Sequence, residues 1–263
     1  MNYIQALVLA IVEGITEFLP VSSTFHLLHT ANFLGLEQSE FTKLFEVFIQ
    51  CGAVFALIFL FQKEIWMTKK LYLKLFISTL PVLVAGFLLH SLIKDYFFEN
   101  APMLTYVFIG VGLIFLLVEL FTSRHAYRLQ KGLIDVTYLE AFFIGVAQVC
   151  ALVPGVSRSG SVILAMIFLN YKREDAATYS MALSLPTILA ATVYDLYKSR
   201  EMFISGVATS QIDVLIIGFV ASFVVAYFFA KWLVVFLQKH TLMAFGGYRI
   251  IAGIILLVIL GSQ

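Results

Sequence analysis

The sequence predicts an all-α polytopic membrane protein, an inverted-topology repeat with six full transmembrane helices and two re-entrant helical hairpins. Its 263 residues are 61% hydrophobic and 13% charged, whereas about 25% of residues are charged in a soluble domain. Six apolar segments are long enough to cross a bilayer, and two further apolar regions are broken near their middles. The net charge of +1 argues against a nucleic-acid partner, so membrane lipids are the expected surroundings.

The six spans follow from length, because a helix needs about 20 apolar residues to cross the hydrocarbon core. They are 44–62, 75–93, 103–121, 176–196, 213–237 and 249–262. The other apolar regions, 3–34 and 138–169, are interrupted at Pro20 and Pro154, and proline cannot continue a helix through its own position. Each is therefore predicted to be a re-entrant hairpin of two half-helices. Such backbone is tolerated at membrane depth only beside protein or a watery cavity.

Lysine and arginine are concentrated in alternate connections between the spans, which indicates the orientation. Twelve lie in one set of connections and four in the other. The larger set is Lys63, Lys69, Lys70, Lys74, Arg124, Arg128, Lys131, Lys172, Arg173, Lys231, Lys239 and Arg249. The smaller set is Lys43, Lys94, Lys198 and Arg200. We expect the larger set to face the cytoplasm, so that the first hairpin enters from outside and the second from the cytoplasm.

A weak internal similarity supports a repeat. When the sequence is shifted by 135 positions, Tyr3 and Ser22 fall on Tyr138 and Ser157. We expect one integral membrane domain over 1–263, with repeats 1–121 and 138–263 joined by a basic cytoplasmic loop, 122–137. In inverted repeats the broken helices meet near the membrane midplane, so the two hairpins are expected to face each other.

Glu13 and Glu17 are four residues apart and therefore share one helical face. A charged group at mid-membrane costs about 2.5–3.5 kcal/mol, so these carboxylates need a cation, a proton or water. Arg158, interpreted as the one basic residue far from a loop end, poses the same problem in the second hairpin. One arginine against two glutamates leaves an acidic excess that a divalent ion could satisfy. The alternative is a structural Arg–Glu pair that joins the hairpins.

The segment Pro154-Gly-Val-Ser-Arg-Ser-Gly160 is typical of a phosphate site at a helix N-terminus. Gly155 and Gly160 permit unusual backbone angles, Ser157 and Ser159 offer hydroxyl groups, and Arg158 offers two parallel donors. The alternative is an ordinary N-cap serine, with glycine for close helix packing. The segment does not match a Walker A loop, so a nucleotide is not indicated.

The first hairpin carries a candidate nucleophile. Ser22, Ser23 and Thr24 follow the break, and His26 comes one turn later. A serine beside a histidine or glutamate is the minimum for nucleophilic phosphoryl or acyl transfer. Ser23 is therefore the candidate nucleophile, with His26 or Glu17 as its base, although a Ser/His proximity is usually coincidental.

Two long motifs resemble the signatures of the undecaprenyl-diphosphate phosphatase family, also called bacitracin-resistance proteins. They are "EGITEFLPVSSTFH" at 13–26 and "PGVSRSG" at 154–160, and "FEVFIQCGAV" at 45–54 extends the likeness. The resemblance implies a multi-pass enzyme of the bacterial inner membrane, with its active site open to the outer, periplasmic face. It implies hydrolysis of undecaprenyl diphosphate to undecaprenyl phosphate and inorganic phosphate, which recycles the cell-wall lipid carrier and confers bacitracin resistance. It also implies a divalent cation, Mg²⁺ or Ca²⁺.

By motif position, the resemblance implies functional roles for a small set of residues. They are Glu13 and Glu17 as metal ligands, with Glu17, Ser23, His26 and Arg158 as catalytic residues. Ser22, Thr24, Gly155, Ser157, Ser159 and Gly160 form the predicted substrate-binding set. The expected partners are a polyisoprenyl diphosphate lipid and membrane lipids, with a homodimer left open.

Three questions stay open at this point. An activated water could replace Ser23 as the nucleophile. Inverted repeats with charged residues at broken helices are also typical of secondary transporters and lipid flippases. An intramembrane serine protease would suit Ser23 and His26 but leaves Arg158 without a task.

Overall fold

The computed structural model describes residues 1–60, 69–97, 101–124, 129–206 and 208–261, and these ranges are mainly helical. In chain order the helices are α1 (Tyr3–Thr16), α2 (Ser23–Phe33), α3 (Glu40–Leu60), α4 (Lys69–Phe97), α5 (Ala101–Arg124), α6 (Tyr138–Val149), α7 (Arg158–Phe168), α8 (Arg173–Lys198), the short α9 (Arg200–Ile204), α10 (Ile212–Leu237) and α11 (Met243–Gly261). Single turns of 3₁₀-helix lie at Leu133–Asp135, Cys150–Leu152 and Thr209–Gln211. The predicted all-α class is confirmed.

Five stretches within the described ranges are long and apolar enough to cross a membrane. They are Glu40–Leu60, Lys70–Leu89, Pro102–Thr122, Arg173–Lys198 and Thr209–Leu237. Five of the six predicted spans correspond to these stretches. The last two residues of the first predicted span, 61 and 62, lie outside the described residues. The sixth predicted span, 249–262, falls on α11 apart from residue 262, which is also outside them, and the count of six stays a prediction.

Two pairs of short helices occupy the regions that the prolines interrupt. α1 and α2 contact each other, as do α6 and α7. α2 and α7 each have 11 residues and begin at positions 135 apart. The preceding residues, Ser22 and Ser157, both have positive φ, 67° and 79°. The chain therefore turns sharply at equivalent places, although the repeat itself stays a prediction.

Close backbone approach seats α1 and α6 against long helices. α1 packs on α10 and α6 packs on α4. A Cβ at Gly145 on α6 would lie 2.4 Å from the Ser78 carbonyl oxygen on α4, and one at Gly14 on α1 would lie 2.7 Å from Val225 Cβ on α10. Because only glycine permits these approaches, α1 and α6 lie in close contact with α10 and α4.

Arg249 corrects one part of the orientation argument. The sequence places it among the cytoplasmic loop cations, but its side chain is fully buried on α11. It therefore does not count toward the charge bias, and Arg158 is not the one basic residue far from a loop end. Lys63 and Arg128 lie outside the described residues, so the orientation stays a prediction.

Candidate active site

The two helix breaks meet at the centre of the bundle. An Arg158 guanidinium nitrogen at the start of α7 donates to Glu17 Oε1, just after α1, over 2.8 Å. Ser159 Oγ donates to the Leu19 carbonyl over 2.9 Å. The predicted juxtaposition of Glu17 and Arg158 is thus present, and both side chains are largely shielded from solvent, at 6% and 14% exposure.

Glu17 also binds the candidate nucleophile. Ser23 Oγ donates a hydrogen bond to Glu17 Oε2 over 2.6 Å. One carboxylate oxygen thus faces the serine while the other faces Arg158. This arrangement suits proton transfer from Ser23 to Glu17, because a general base must lie within hydrogen-bonding distance of the proton that it accepts.

Glu13 is a buried carboxylate without a hydrogen-bond partner among the described residues. Its side chain is fully buried one turn before Glu17, and neither of its oxygens is paired. An ionised carboxylate in this position is costly unless a cation compensates it. Two carboxylates on one face fit a hard divalent cation such as Mg²⁺ or Ca²⁺, which takes oxygen ligands and completes its shell with water or phosphate oxygens. Larger acidic or histidine clusters are absent from the ranges that the structure describes.

The loop before α7 has the geometry of an N-capped helix start. Ser157 Oγ accepts from the Gly160 N–H over 3.2 Å and lies 3.0 Å from Ser159 Oγ. A Cβ at Gly160 would lie 2.7 Å from Phe115 Cζ, so this glycine permits close helix packing. The capping interpretation is therefore correct for Ser157, and it does not exclude an anion site. The second terminal nitrogen of Arg158 is buried and unpaired in the described part of the chain, which leaves a donor for a bound group.

A polar cavity of about 160 Å³ lies between these loops. Its lining includes Glu17, Ser22, Ser23, Thr24, Gln50, Pro154, Gly155, Ser157 and Arg158. Seven predicted site residues thus lie together, while Glu13, Ser159 and Gly160 are buried outside the lining. Gln50 of α3 joins the cavity although it has no place in the predicted set, and its polarity within an apolar span was the available signal.

His26 does not line this cavity. Its Nδ1 lies 2.8 Å from the Ser22 carbonyl oxygen, and its Nε2 lies 2.7 Å from Tyr248 Oη on α11. It faces a second, mostly apolar groove of about 290 Å³ between α2 and α11. Since both ring nitrogens of His26 already have hydrogen-bond partners away from Ser23, the geometry favours Glu17 over His26 as the partner of Ser23.

Arg249 is the structural residue that sequence reasoning missed. Its guanidinium donates to the Phe108 carbonyl over 3.0 Å, to the Pro20 carbonyl over 3.1 Å, and to the Gly155 carbonyl. Pro20 and Gly155 belong to the two helix breaks. The available signal was an arginine followed by a long apolar run, 250–260, where a loop cation is not expected.

These features define a class: a helical membrane protein with a polar cavity, lined by Glu17, Ser23 and Arg158, between two broken helix pairs. The chain belongs to the family described as Bacitracin resistance protein BacA, whose model matches residues 6–255. It is 41% identical to an undecaprenyl-diphosphatase of a Sulfurihydrogenibium species, covering 97% of this chain and 98% of that protein. It is 44% identical to the undecaprenyl-diphosphatase of Campylobacter hominis, over 95% and 96% of the two chains. The undecaprenyl-diphosphatase of Flavobacterium johnsoniae is 42% identical, over 98% and 96%. The resemblance seen in the sequence motifs is therefore confirmed.

Proposed function

We propose that this protein hydrolyses undecaprenyl diphosphate to undecaprenyl phosphate and inorganic phosphate, the activity for which its relatives are named. One observation carries the proposal: Glu17 accepts hydrogen bonds from Ser23 and Arg158 in a polar cavity beside the α7 N-terminus. In the cell this reaction recycles the lipid carrier for cell-wall synthesis and confers resistance to bacitracin.

The terminal phosphate binds between Arg158 and the first turn of α7. Arg158 offers its unpaired terminal nitrogen, and the N-terminal end of a helix favours an anion through its free N–H groups and its dipole. Ser22, Thr24 and Ser157 add hydroxyl groups to the cavity wall. Phosphoryl transfer depends mainly on positioning and charge stabilisation, and this set of groups supplies both.

Ser23 acts as the nucleophile. Its Oγ attacks the terminal phosphorus, and its proton passes to Glu17 Oε2, 2.6 Å away. The new Oγ–P bond replaces the P–O bond to the leaving undecaprenyl phosphate. Water then cleaves the Oγ–P bond, and the serine regains a proton. The rival route is direct attack by water, in which Ser23 only donates a hydrogen bond.

Glu13 and Glu17 are the proposed ligands of a divalent cation, Mg²⁺ or Ca²⁺. The unpaired, buried oxygens of Glu13 support this assignment. A cation bound there would supply positive charge that offsets the negative charge of the diphosphate. Glu17 would then have two duties, as a ligand of the cation and as the base for Ser23.

The membrane arrangement forms part of the proposal. We place α11 as a sixth span, the two short-helix pairs as re-entrant hairpins, and the cavity opening at the outer face of the inner membrane. The matching positive-φ residues just before α2 and α7, Ser22 and Ser157, support an inverted repeat of 1–121 and 138–263. The apolar groove between α2 and α11 suits the start of the isoprenoid chain, since it lies beside the segment that carries Ser23.

The test is phosphate release from undecaprenyl diphosphate by purified protein in detergent, with Mg²⁺, with Ca²⁺ and with EDTA. We expect metal-dependent release that falls at least about 1,000-fold in Ser23→Ala, the usual scale for loss of a nucleophile. Ser184→Ala is the matched control, because this buried serine bonds only within α8. A Ser23→Ala protein with near-normal turnover would favour the water route. A folded wild type without release would refute the phosphatase and favour transport.

A further inference from the structure

We propose that Arg249 is a positioning residue that sets the separation of the two loops forming the phosphate cavity. The inference rests on the proposed function, because it concerns the same site. It adds a residue of α11 that does not itself line the cavity but donates a hydrogen bond to the backbone of one lining residue, Gly155.

Three hydrogen bonds connect Arg249 to three different parts of the chain. They reach the Pro20 carbonyl between α1 and α2, the Gly155 carbonyl between α6 and α7, and the Phe108 carbonyl on α5. The sequence separations are 229, 94 and 141 residues. One side chain thus joins the two helix breaks to each other and to a long helix.

The two accepting carbonyls in the helix breaks lie shortly before the reactive residues. Pro20 is three residues before Ser23, and Gly155 is three residues before Arg158. A helix break leaves carbonyl groups without an intrahelical partner, and an unpaired buried carbonyl is costly. A guanidinium has five N–H donors in a fixed plane, so it can satisfy several carbonyls and hold their relative positions at once.

The guanidinium is itself firmly held. Arg249 is fully buried, and its guanidinium carbon lies 4.4 Å from the ring centre of Phe108 and 5.5 Å from that of Phe115. A Cβ at Gly112 of α5 would lie 2.9 Å from Arg249 Cβ, so α5 and α11 are in close contact here. In the described part of the chain its hydrogen bonds go to carbonyl groups rather than to carboxylates. Its task is therefore to arrange backbone, not to pair with an acid.

The consequence is kinetic. Ser23 and Arg158 must keep their separation across Glu17 for attack on a phosphate that Arg158 holds. A displacement of about 1 Å in such an arrangement can cost about 100-fold in rate. Loosening the loops should therefore lower kcat even when the protein remains folded.

The experiment compares Arg249→Lys with Arg173→Lys. Arg173 is the matched control: it pairs with buried Glu119 through both carboxylate oxygens and, within the described residues, has no hydrogen bond to either helix break. For each purified protein, kcat per folded molecule, KM and melting temperature are measured with undecaprenyl diphosphate. We expect Arg249→Lys to lower kcat about 10- to 100-fold, because a single ammonium cannot reproduce the planar fork. Arg173→Lys should lower the melting temperature while kcat stays within about twofold.

Chemical rescue supplies the second measurement. In Arg249→Ala, added guanidinium chloride at millimolar concentration should raise kcat in a saturable manner, whereas Arg173→Ala should not respond. An equal kcat for Arg249→Lys and wild type would overturn the proposal, as would the absence of rescue. If neither Arg249 variant yields folded protein, Arg249 serves the fold as a whole and the positioning role is refuted. An inactive wild type would instead refute the phosphatase.

Discussion

Replacing Glu13 by glutamine should uncouple the protein from divalent cations without destabilising it. In the absence of metal, the Glu13 carboxylate is buried without a hydrogen-bond partner in the described part of the chain. A buried carboxyl that lacks a cation is neutralised by a proton rather than kept as a charge, and a neutral carboxyl and an amide cost similar amounts to bury. Glu13→Gln should therefore leave the free energy of unfolding in EDTA unchanged to within about 1 kcal/mol, or about 2–4 °C in melting temperature.

Metal should separate the two proteins. At a concentration of 100 times Kd, a bound cation stabilises the wild type by about 2.7 kcal/mol, or about 5–10 °C. Glu13→Gln lacks one of the two carboxylate ligands and should show little of this shift. Its phosphate release should fall and lose most of its dependence on EDTA.

The assay is thermal unfolding in detergent with EDTA, Mg²⁺ or Ca²⁺, beside phosphate release under the same conditions. Glu37→Gln makes the same chemical change at an exposed glutamate and should behave as wild type. If Glu13→Gln gains as many degrees from Mg²⁺ and Ca²⁺ as the wild type, Glu13 is not a ligand, and its buried carboxylate needs another explanation.

Two further predictions concern the loop before α7 and the hydrogen-bonded carboxylate of Glu140 at the start of α6. Gly155→Ala should lower the free energy of unfolding by about 1–3 kcal/mol and reduce turnover, because Gly155 has φ +92° and a Cβ would lie 3.1 Å from a backbone oxygen. Gly35→Ala, with φ +66° and open space, should lose stability but keep its activity; equal effects on activity would contradict this. Burial raises the pKa of Glu140, but hydrogen bonds from Lys131 and other donors outweigh it and lower this pKa to about 2. The stability that Glu140 contributes should be present above about pH 4.5 and be lost as the pH falls toward 2. Wild type and Glu140→Gln should then converge in melting temperature at low pH, and a constant difference would refute the assignment.

Much of the architecture could be predicted from local pattern. Apolar length indicated five spans that the structure contains, because a bilayer sets the length of a helix. Pro20 and Pro154 indicated the two breaks, where each proline is followed within three residues by serine. Proline alone was not sufficient, because Pro81 and Pro186 lie inside α4 and α8. A pair between Arg158 and a glutamate was one of two open interpretations of charge in an apolar setting, and the structure forms it with Glu17.

The partners of the remaining polar groups depended on tertiary structure. His26 pairs with Tyr248, 222 residues away, and Arg249 reaches Pro20 over 229 residues. Periodicity describes the face of a helix on which a residue lies, but it does not say which distant helix that face meets. The sequence alone therefore determined the spans, the breaks and the chemistry of the cavity. Only tertiary packing, which brings Tyr248 and Arg249 of α11 against the two helix breaks, decided that His26 faces away from Ser23 and that a buried arginine joins the two loops.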